Sequence, residues 1–139
     1  MGRILALDFG KQRTGIAVTD ELQLVASALT TVATADLISF LEQYLAQEKV
    51  ITIVVGEPKQ MDGSSSEAEI LIQPMISRLK KHFPTVPIDR QDERFTSKMA
   101  VSAMVQGGAR KKTRRNKAMV DQISATLILQ AYLDRTLKA

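Results

Sequence analysis

The sequence predicts an α/β fold with a mixed five-stranded sheet, three antiparallel strands followed by two parallel ones, flanked by helices. Three short apolar runs come first and are separated by turns, which is the pattern of an antiparallel meander. Segments with helical and strand-like patterns then alternate, as in parallel strands joined by helices. The 139 residues and a hydrophobic content of 45% fit one domain, residues 1–139, that can bury its own core.

The antiparallel strands are predicted at the start of the chain. Arg3–Phe9 is an apolar run of strand length that is bounded by glycines, and it is predicted as the first strand. Gly10–Gly15 is predicted as a turn, Ile16–Thr19 as the second strand, and the third strand is expected within Gln23–Val32. These segments predict a meander in which strands that follow one another in the chain also pair.

The next segment predicts a helix and a buried strand. Apolar residues fall at helical spacing over Asp36–Glu48, with Thr34 or Asp36 as the candidate cap. Val50–Val55 is apolar throughout, as expected for a parallel strand that is covered on both faces. A loop rich in serine, glycine and proline is predicted at Gly56–Ser66.

The remaining elements are predicted from the same spacing rules. A helix runs from about Glu67 to His82, and because it contains Pro74 we expect a kink there or a later start. A short strand is predicted at Val86–Arg90 and a helix at Phe95–Gln106. A last helix is expected from about Asn116 to Leu137.

Positive charge is concentrated in one short segment. The net charge is +4, from 19 basic and 15 acidic residues. Six of the eight residues from 110 to 117 are basic, and without them the chain would have 13 basic and 15 acidic residues. They are Arg110, Lys111, Lys112, Arg114, Arg115 and Lys117. This distribution predicts one contact with a polyanion rather than a generally basic surface.

Several classes of protein are excluded or disfavoured by composition. The absence of cysteine excludes disulfides, thiolate metal sites and a cysteine nucleophile. The only histidine, His82, is expected at a helix end, so no Ser-His-Asp set is indicated. Aromatic residues make up 4%, which disfavours recognition by stacking on single-stranded bases. No signal-peptide pattern or membrane-spanning run is present, and we expect a cytoplasmic protein that does not bind membranes.

Three acidic residues lie at the edges of apolar elements. Asp8 is near the end of the first buried strand, Glu93 follows a short strand, and Asp121 lies on the apolar face of the last helix. That face also carries Ala125, Ile128 and Tyr132. Asp8 alone could instead cap the following turn, and Glu93 alone could be a solvated charge before a helix. Each position therefore has a structural explanation as well as a functional one.

Together, the three carboxylates suggest a site for hard divalent cations. Mg²⁺ prefers oxygen ligands, and metal ions can activate water and stabilise the leaving oxygen in phosphodiester displacement. Spacing alone does not establish the site, because the three segments meet only if the fold brings them together. A structure that buried one carboxylate against an arginine, or left the three more than ~10 Å apart, would contradict it.

Four segments resemble, in order, the motifs of the YqgF family, Holliday-junction-resolvase-like proteins also described as pre-16S rRNA nucleases. They are Leu7–Asp20, Val54–Gly63, Asp92–Ser97 and Val120–Ala125. The resemblance spans most of the chain and implies a ribonuclease H-like fold. It also implies that Asp8, Glu93 and Asp121 are the catalytic, metal-binding triad, with Mg²⁺ or Mn²⁺ as cofactor.

Two positions depart from the pattern of the family and its relatives. Glu57 stands where many members have an apolar residue, and its role is left open. Related junction resolvases have a second acid one turn after the last one, whereas this chain has Ser124. The site therefore has less help in holding a second metal ion, and both one-metal and two-metal operation remain open.

The resemblance implies a metal-dependent endonuclease that hydrolyses phosphodiester bonds in structured nucleic acid, with pre-16S rRNA processing in ribosome biogenesis as the leading role. Lys11, Arg13 and the basic segment are the candidate contacts to precursor rRNA or branched DNA. A Holliday junction resolvase and a non-catalytic RNA-binding assembly factor are the alternatives. The turn after Asp8 also resembles the phosphate-binding turn of actin-like sugar kinases, which need two such domains. A monomer or homodimer is expected.

Overall fold

The computed structural model describes residues 2–60, 62–93 and 117–137. Within these ranges the chain forms a five-stranded sheet with strand order β3-β2-β1-β4-β5. The strands are β1 (Arg3–Phe9), β2 (Arg13–Thr19), β3 (Ala26–Ala33), β4 (Val50–Glu57) and β5 (Ile88–Asp92). The α-helices in the same ranges are α1 (Leu37–Gln47), α2 (Glu69–His82) and α3 (Lys117–Leu137). The helix predicted at Phe95–Gln106 lies outside the described residues.

The sheet is mixed, as the sequence predicted. Strand β1 pairs antiparallel with β2, and β2 pairs antiparallel with β3. On its other side β1 pairs parallel with β4, which pairs parallel with β5. The first strand is therefore central, with the antiparallel strands on one side and the parallel strands on the other.

The second strand begins three residues earlier than predicted. Arg13, Thr14 and Gly15 were assigned to a turn, but they belong to β2. Pairing continues to the end of β1, where Phe9 lies opposite Thr14, so only the short segment 10–12 remains to reverse the chain. The Thr34 hydroxyl donates to the Gly10 carbonyl and so holds this turn against the start of the following helix.

The parallel strands also extend beyond their predicted ends. Strand β4 continues to Glu57, which was placed in a loop, because Glu57 pairs with Asp92 of β5. Strand β5 correspondingly spans Ile88–Asp92 instead of Val86–Arg90. Both strands therefore extend further at their carboxyl ends, toward the end of the sheet at which Asp8 lies.

The helix boundaries follow the predicted spacing with two differences. Helix α2 begins at Glu69, later than Glu67, and Pro74 lies inside it. Asp36 is the residue before α1, but its side chain makes no capping hydrogen bond. Thr34 lies in a short 3₁₀ turn, where its hydroxyl contacts that of Thr14. Within the described ranges no helix is long and apolar enough to cross a membrane.

The core has two parts, one on each face of the sheet. On one face, Leu5 and Leu7 of β1 pack against apolar residues of α1 and α2. On the other face, Ile4 and Ala6 pack against α3. Helix α3 contributes Ala125, Ile128, Leu129, Tyr132 and Leu133 to this second part, which confirms the predicted apolar face. The alternation of side chains along β1 therefore decides which residues face α3.

Candidate active site

Asp8 lies at the end of β1, on the side of the sheet that α3 covers. Because side chains alternate along a strand, Asp8 shares its face with Ile4 and Ala6, which pack under α3. On β2, Gly15 is paired with Asp8, and the register with β4 puts Gly56 beside it on the other strand. Asp8 is therefore flanked by glycines on both neighbouring strands.

Gly15 allows α3 to come close to the sheet beside Asp8. A Cβ atom at Gly15 would lie 2.1 Å from the carbonyl oxygen of Asp121 and 3.0 Å from its Cβ. No side chain could occupy that space without moving the helix. The glycine therefore places Asp121 directly over β2, next to the strand that carries Asp8.

Gly56 has the corresponding role on the other side of Asp8. A Cβ atom there would lie 2.1 Å from Oε2 of Glu93 and 2.8 Å from Cδ1 of Ile128. The backbone amide of Glu93 donates to the Glu57 carbonyl at 3.1 Å, which continues the β4–β5 pairing by one step. The Glu93 carboxylate thus lies over the backbone of Gly56, and the three predicted acids lie over adjacent strands on one face.

The pKa values of Asp8 and Glu93 reflect this crowding. Burial, and then the charge of Asp121, raises the pKa of Asp8 to about 7. Burial, and then the charge of Asp8, raises the pKa of Glu93 to about 8, although Arg90 acts in the opposite direction. Asp8 is thus electrostatically coupled to both of the other acids, and a concentration of negative charge at this point costs free energy.

The Asp121 carboxylate is held by an arginine. Nε of Arg13 donates to Oδ2 of Asp121 at 2.7 Å, and the two side chains are 37% and 22% exposed. Burial of one acid against an arginine was predicted to contradict a metal site, and Asp121 is partly buried against Arg13, so this contact counts against a metal ion bound in this arrangement. Among the described residues, no three or more acidic or histidine side chains are arranged to hold a metal ion. The three acids lie close together, but the Asp121 carboxylate is paired with Arg13.

Ser124 is a polar residue close to the acids. In the sequence it was notable only because related junction resolvases have an acid at this position. Its side chain is 2% exposed, and Oγ has no hydrogen-bond partner within residues 2–60, 62–93 and 117–137. Helix α3 passes from Gly15 at Asp121 to Gly56 at Ile128, so Ser124 lies between these points, above β1. A buried hydroxyl without a partner is costly, so this position is suited to a polar ligand atom.

Arg90 supports the site from the opposite face of the sheet. No pattern in the sequence distinguishes this arginine from the others. Its guanidinium binds both carboxylate oxygens of Glu69, at 2.6 and 2.7 Å. It also donates to the carbonyls of Val55 and Gly56, at 3.2 and 3.0 Å. This bidentate pairing lowers the pKa of Glu69. Arg90 therefore ties the start of α2 to the end of β4, where Gly56 supports Glu93.

Lys11 and Arg13 line a cavity next to the acids. The cavity has a volume of about 300 Å³, and Gly10, Gln12 and Asp121 complete its wall. It presents two basic residues beside a carboxylate, which suits an anionic ligand. Arg110, Lys111, Lys112, Arg114 and Arg115 lie outside the described residues, as does the side chain of Lys117, so their predicted contacts remain predictions.

Glu57 does not belong to the acid cluster. Its carboxylate contacts Nζ of Lys59 at 3.4 Å. Because Gly56 faces α3, the alternation along β4 directs Glu57 to the other face of the sheet. The departure from the family pattern therefore adds no fourth acid beside Asp8.

Comparison with known proteins identifies relatives across the whole length. Residues 2–135 match the family model of RuvX, described as Holliday junction resolvase. A protein of Christiangramia forsetii, named "Putative pre-16S rRNA nuclease", is 59% identical over 133 residues, covering 96% of this chain and 98% of the relative. A Flavobacterium psychrophilum protein of the same name is 53% identical over 135 residues, covering 97% and 98%.

The fold is similar to that of solved RuvC structures. Thermus thermophilus RuvC in complex with a Holliday junction substrate matches with a TM-score of 0.59 and 16% identity, covering 99% of this chain and 96% of RuvC. A second structure of T. thermophilus RuvC matches with a TM-score of 0.55 and 15% identity, covering 98% and 96%. At this identity the likeness shows the fold alone, and it confirms the predicted ribonuclease H-like architecture.

Proposed function

We propose a metal-dependent endonuclease mechanism for this chain, which belongs to the RuvX family of Holliday junction resolvases and is a nuclease. The observation that carries the proposal is the arrangement of Asp8, Glu93 and Asp121 over adjacent strands on one face of the sheet. We assign all three as catalytic residues. We take residues 1–139 as one domain that carries all three acids.

The three acids offer the donor atoms that suit a divalent cation, provided that the Asp121 carboxylate leaves Arg13. The raised pKa values of Asp8 and Glu93 mean that ionising both carboxyls is unfavourable without a compensating positive charge. The donor set consists of oxygen atoms, which suits Mg²⁺ or Mn²⁺. The Ser124 hydroxyl, which has no partner in the part of the chain that the structure describes, adds a polar atom between the helix and β1. We therefore propose that Asp8, Glu93 and Asp121 hold the cation.

The residues of the chain have distinct parts in the reaction. A bound divalent cation supplies Lewis acidity, which favours attack of water on phosphorus and offsets the charge that develops there. Lys11 and Arg13, in the adjoining cavity, bind phosphate oxygens and orient the backbone of the substrate. Gly15 and Gly56 fix the separation of the acids by allowing helix and carboxylate to approach the sheet.

We propose precursor 16S rRNA as the substrate, which would make the protein a cytoplasmic factor of ribosome biogenesis. The names of the curated relatives support this choice. Branched DNA is the second candidate, supported by the description of the family and by the Holliday junction bound to the structural relative. We propose a monomer or a homodimer as the active form.

Both candidates can be tested with the purified protein in parallel. A precursor 16S rRNA fragment and a four-way DNA junction are each incubated with Mg²⁺, with Mn²⁺, and with a chelator. We expect metal-dependent cleavage of the RNA that is lost in Asp8→Asn and Asp121→Asn. Asp134→Asn is the matched control, because it neutralises an exposed acid on α3, the helix that also carries Asp121. It should leave cleavage unchanged.

The outcomes separate the site from the substrate. Cleavage by both substituted proteins at the wild-type rate would contradict the assignment of the acids. Junction cleavage without RNA cleavage would contradict the proposed substrate and leave the acids in place.

A further inference from the structure

The ion pair between Arg13 and Asp121 joins parts of the chain that are far apart in sequence. Arg13 is at the start of β2, on the same face as Gly15, and Asp121 lies over Gly15. The Nε–Oδ2 distance is 2.7 Å, yet the two side chains are 37% and 22% exposed. Because water reaches both side chains of this partly buried pair, another ion can compete for either partner.

A competing partner for each side chain is available at the same place. Arg13 and Lys11 both line the cavity of about 300 Å³. A planar guanidinium can bind two oxygens of a phosphate, just as it can bind two oxygens of a carboxylate. Asp121 lies over Gly15, and Gly15 is the residue of β2 that pairs with Asp8. Arg13 can therefore turn to a phosphate, and Asp121 can turn to a cation beside Asp8.

We propose that Arg13 is an exchangeable cap on Asp121 that couples phosphodiester binding to cation binding. Without substrate, the guanidinium occupies the Asp121 carboxylate. A backbone phosphate that enters the cavity draws the guanidinium away, and Asp121 then joins Asp8 and Glu93 at the cation. The inference rests on the proposed function, because it requires these acids to bind the cation.

The coupling has a thermodynamic consequence. If phosphate binding frees a cation ligand, then cation binding must strengthen phosphate binding by the same factor. The Arg13 side chain is the positioning residue through which this coupling passes. Its removal should uncouple the two ligands, and in the absence of phosphate it should strengthen cation binding instead of weakening it.

Calorimetric titration of the full chain with Mn²⁺ alone, at a fixed pH and without nucleic acid, tests the inference. We expect Arg13→Gln to bind Mn²⁺ about fivefold more tightly than the wild type, or about 1 kcal/mol at 1.4 kcal/mol per tenfold change. Lys80→Gln is the control for net charge. It removes one positive charge from an exposed position in the last turn of α2, which has no assigned part in binding, and we expect a change within about twofold.

A second arm of the titration uses dimethyl phosphate as a phosphodiester that the protein does not need to cleave. We expect a high concentration of dimethyl phosphate to strengthen Mn²⁺ binding by the wild type by about the same fivefold factor. It should leave the affinity of Arg13→Gln unchanged, because that protein lacks the cap.

The outcomes distinguish failure of the inference from failure of the proposed function. If Asp8→Asn abolishes Mn²⁺ binding while Arg13→Gln binds Mn²⁺ as the wild type does, or more weakly, the cap is overturned and the metal site stands. If Asp8→Asn binds Mn²⁺ like the wild type, the metal site itself is overturned. Arg13→Lys, which keeps the charge but not the guanidinium, gives a second measurement if the glutamine variant does not fold; its affinity should also exceed that of the wild type.

Discussion

Replacing Asp8 with asparagine is expected to stabilise the folded protein at pH 8 when no divalent cation is present. The pKa of Asp8 rises from 3.8 to about 7, because of burial and then the charge of Asp121. A carboxyl with a higher pKa in the folded state favours folding while it is protonated. This contribution is fully present below about pH 4 and is lost as the pH rises through about 7. Asparagine has no charge to lose.

The size of the effect follows from the pKa difference. At ~1.4 kcal/mol for each tenfold change in proton affinity, the step from 3.8 to about 7 corresponds to at most about 4 kcal/mol. Asp8 keeps some contact with solvent, so we expect about 2 kcal/mol after screening. In a domain of this size that difference raises the midpoint of thermal unfolding by roughly 6 °C.

Thermal unfolding followed by circular dichroism measures this difference. Wild type and Asp8→Asn are compared at pH 5 and pH 8 in a chelator, and again at pH 8 with Mn²⁺. The gain should be present at pH 8 and small at pH 5, and Mn²⁺ should stabilise the wild type alone. Asp134→Asn removes an exposed carboxylate of α3 and controls for net charge. An Asp8→Asn protein that is less stable than wild type at pH 8 in chelator would refute the electrostatic reasoning.

Three further substitutions test the supports of the site and the core. Gly56→Ala should weaken Mn²⁺ binding at least ~10-fold in a calorimetric titration, because the added Cβ would displace the Glu93 carboxylate. Tyr132→Phe should lower the free energy of unfolding in urea by about 1 kcal/mol, since the Tyr132 hydroxyl donates to Asp89 at 2.8 Å. Leu41→Ala, at a fully buried position of α1, should lower it by about 3 kcal/mol. A wild-type value in any of these measurements would contradict the corresponding contact.

The position of a strand could be predicted where an apolar run defines it. The start of β2 and the end of β4 could not be predicted, because the residues there are not apolar. The apolar run of β1 was found at its observed bounds, Arg3–Phe9. Arg13, Thr14 and Glu57 are polar or lie beside glycine, and they become strand residues only because a neighbouring strand offers backbone partners. Pairing of this kind depends on register between distant segments, so local sequence carries little information about it.

The family resemblance predicts which acids form the site, and their role stays a prediction; the positions of these acids relative to one another could not be predicted. Nothing in the segment around Gly15 shows that a helix residue 106 positions later will contact its backbone. Arg13 was assigned to phosphate on its charge and its position in a turn. Its contact with Asp121, 108 residues away, depends on the packing of α3 against β2. Long-range contacts of this kind are the part of the site that required the structure.

The position of α3 also bears on whether the protein can act. The helix covers one entire face of the sheet and carries one of the three acids, and it is made from residues 117–137. A chain truncated before this helix would expose Ile4, Ala6 and Val54 to water, and it would lack Asp121. Under the proposed function, residues 117–137 therefore supply both one face of the core and one of the three acids, so a chain without them would lose stability and activity together.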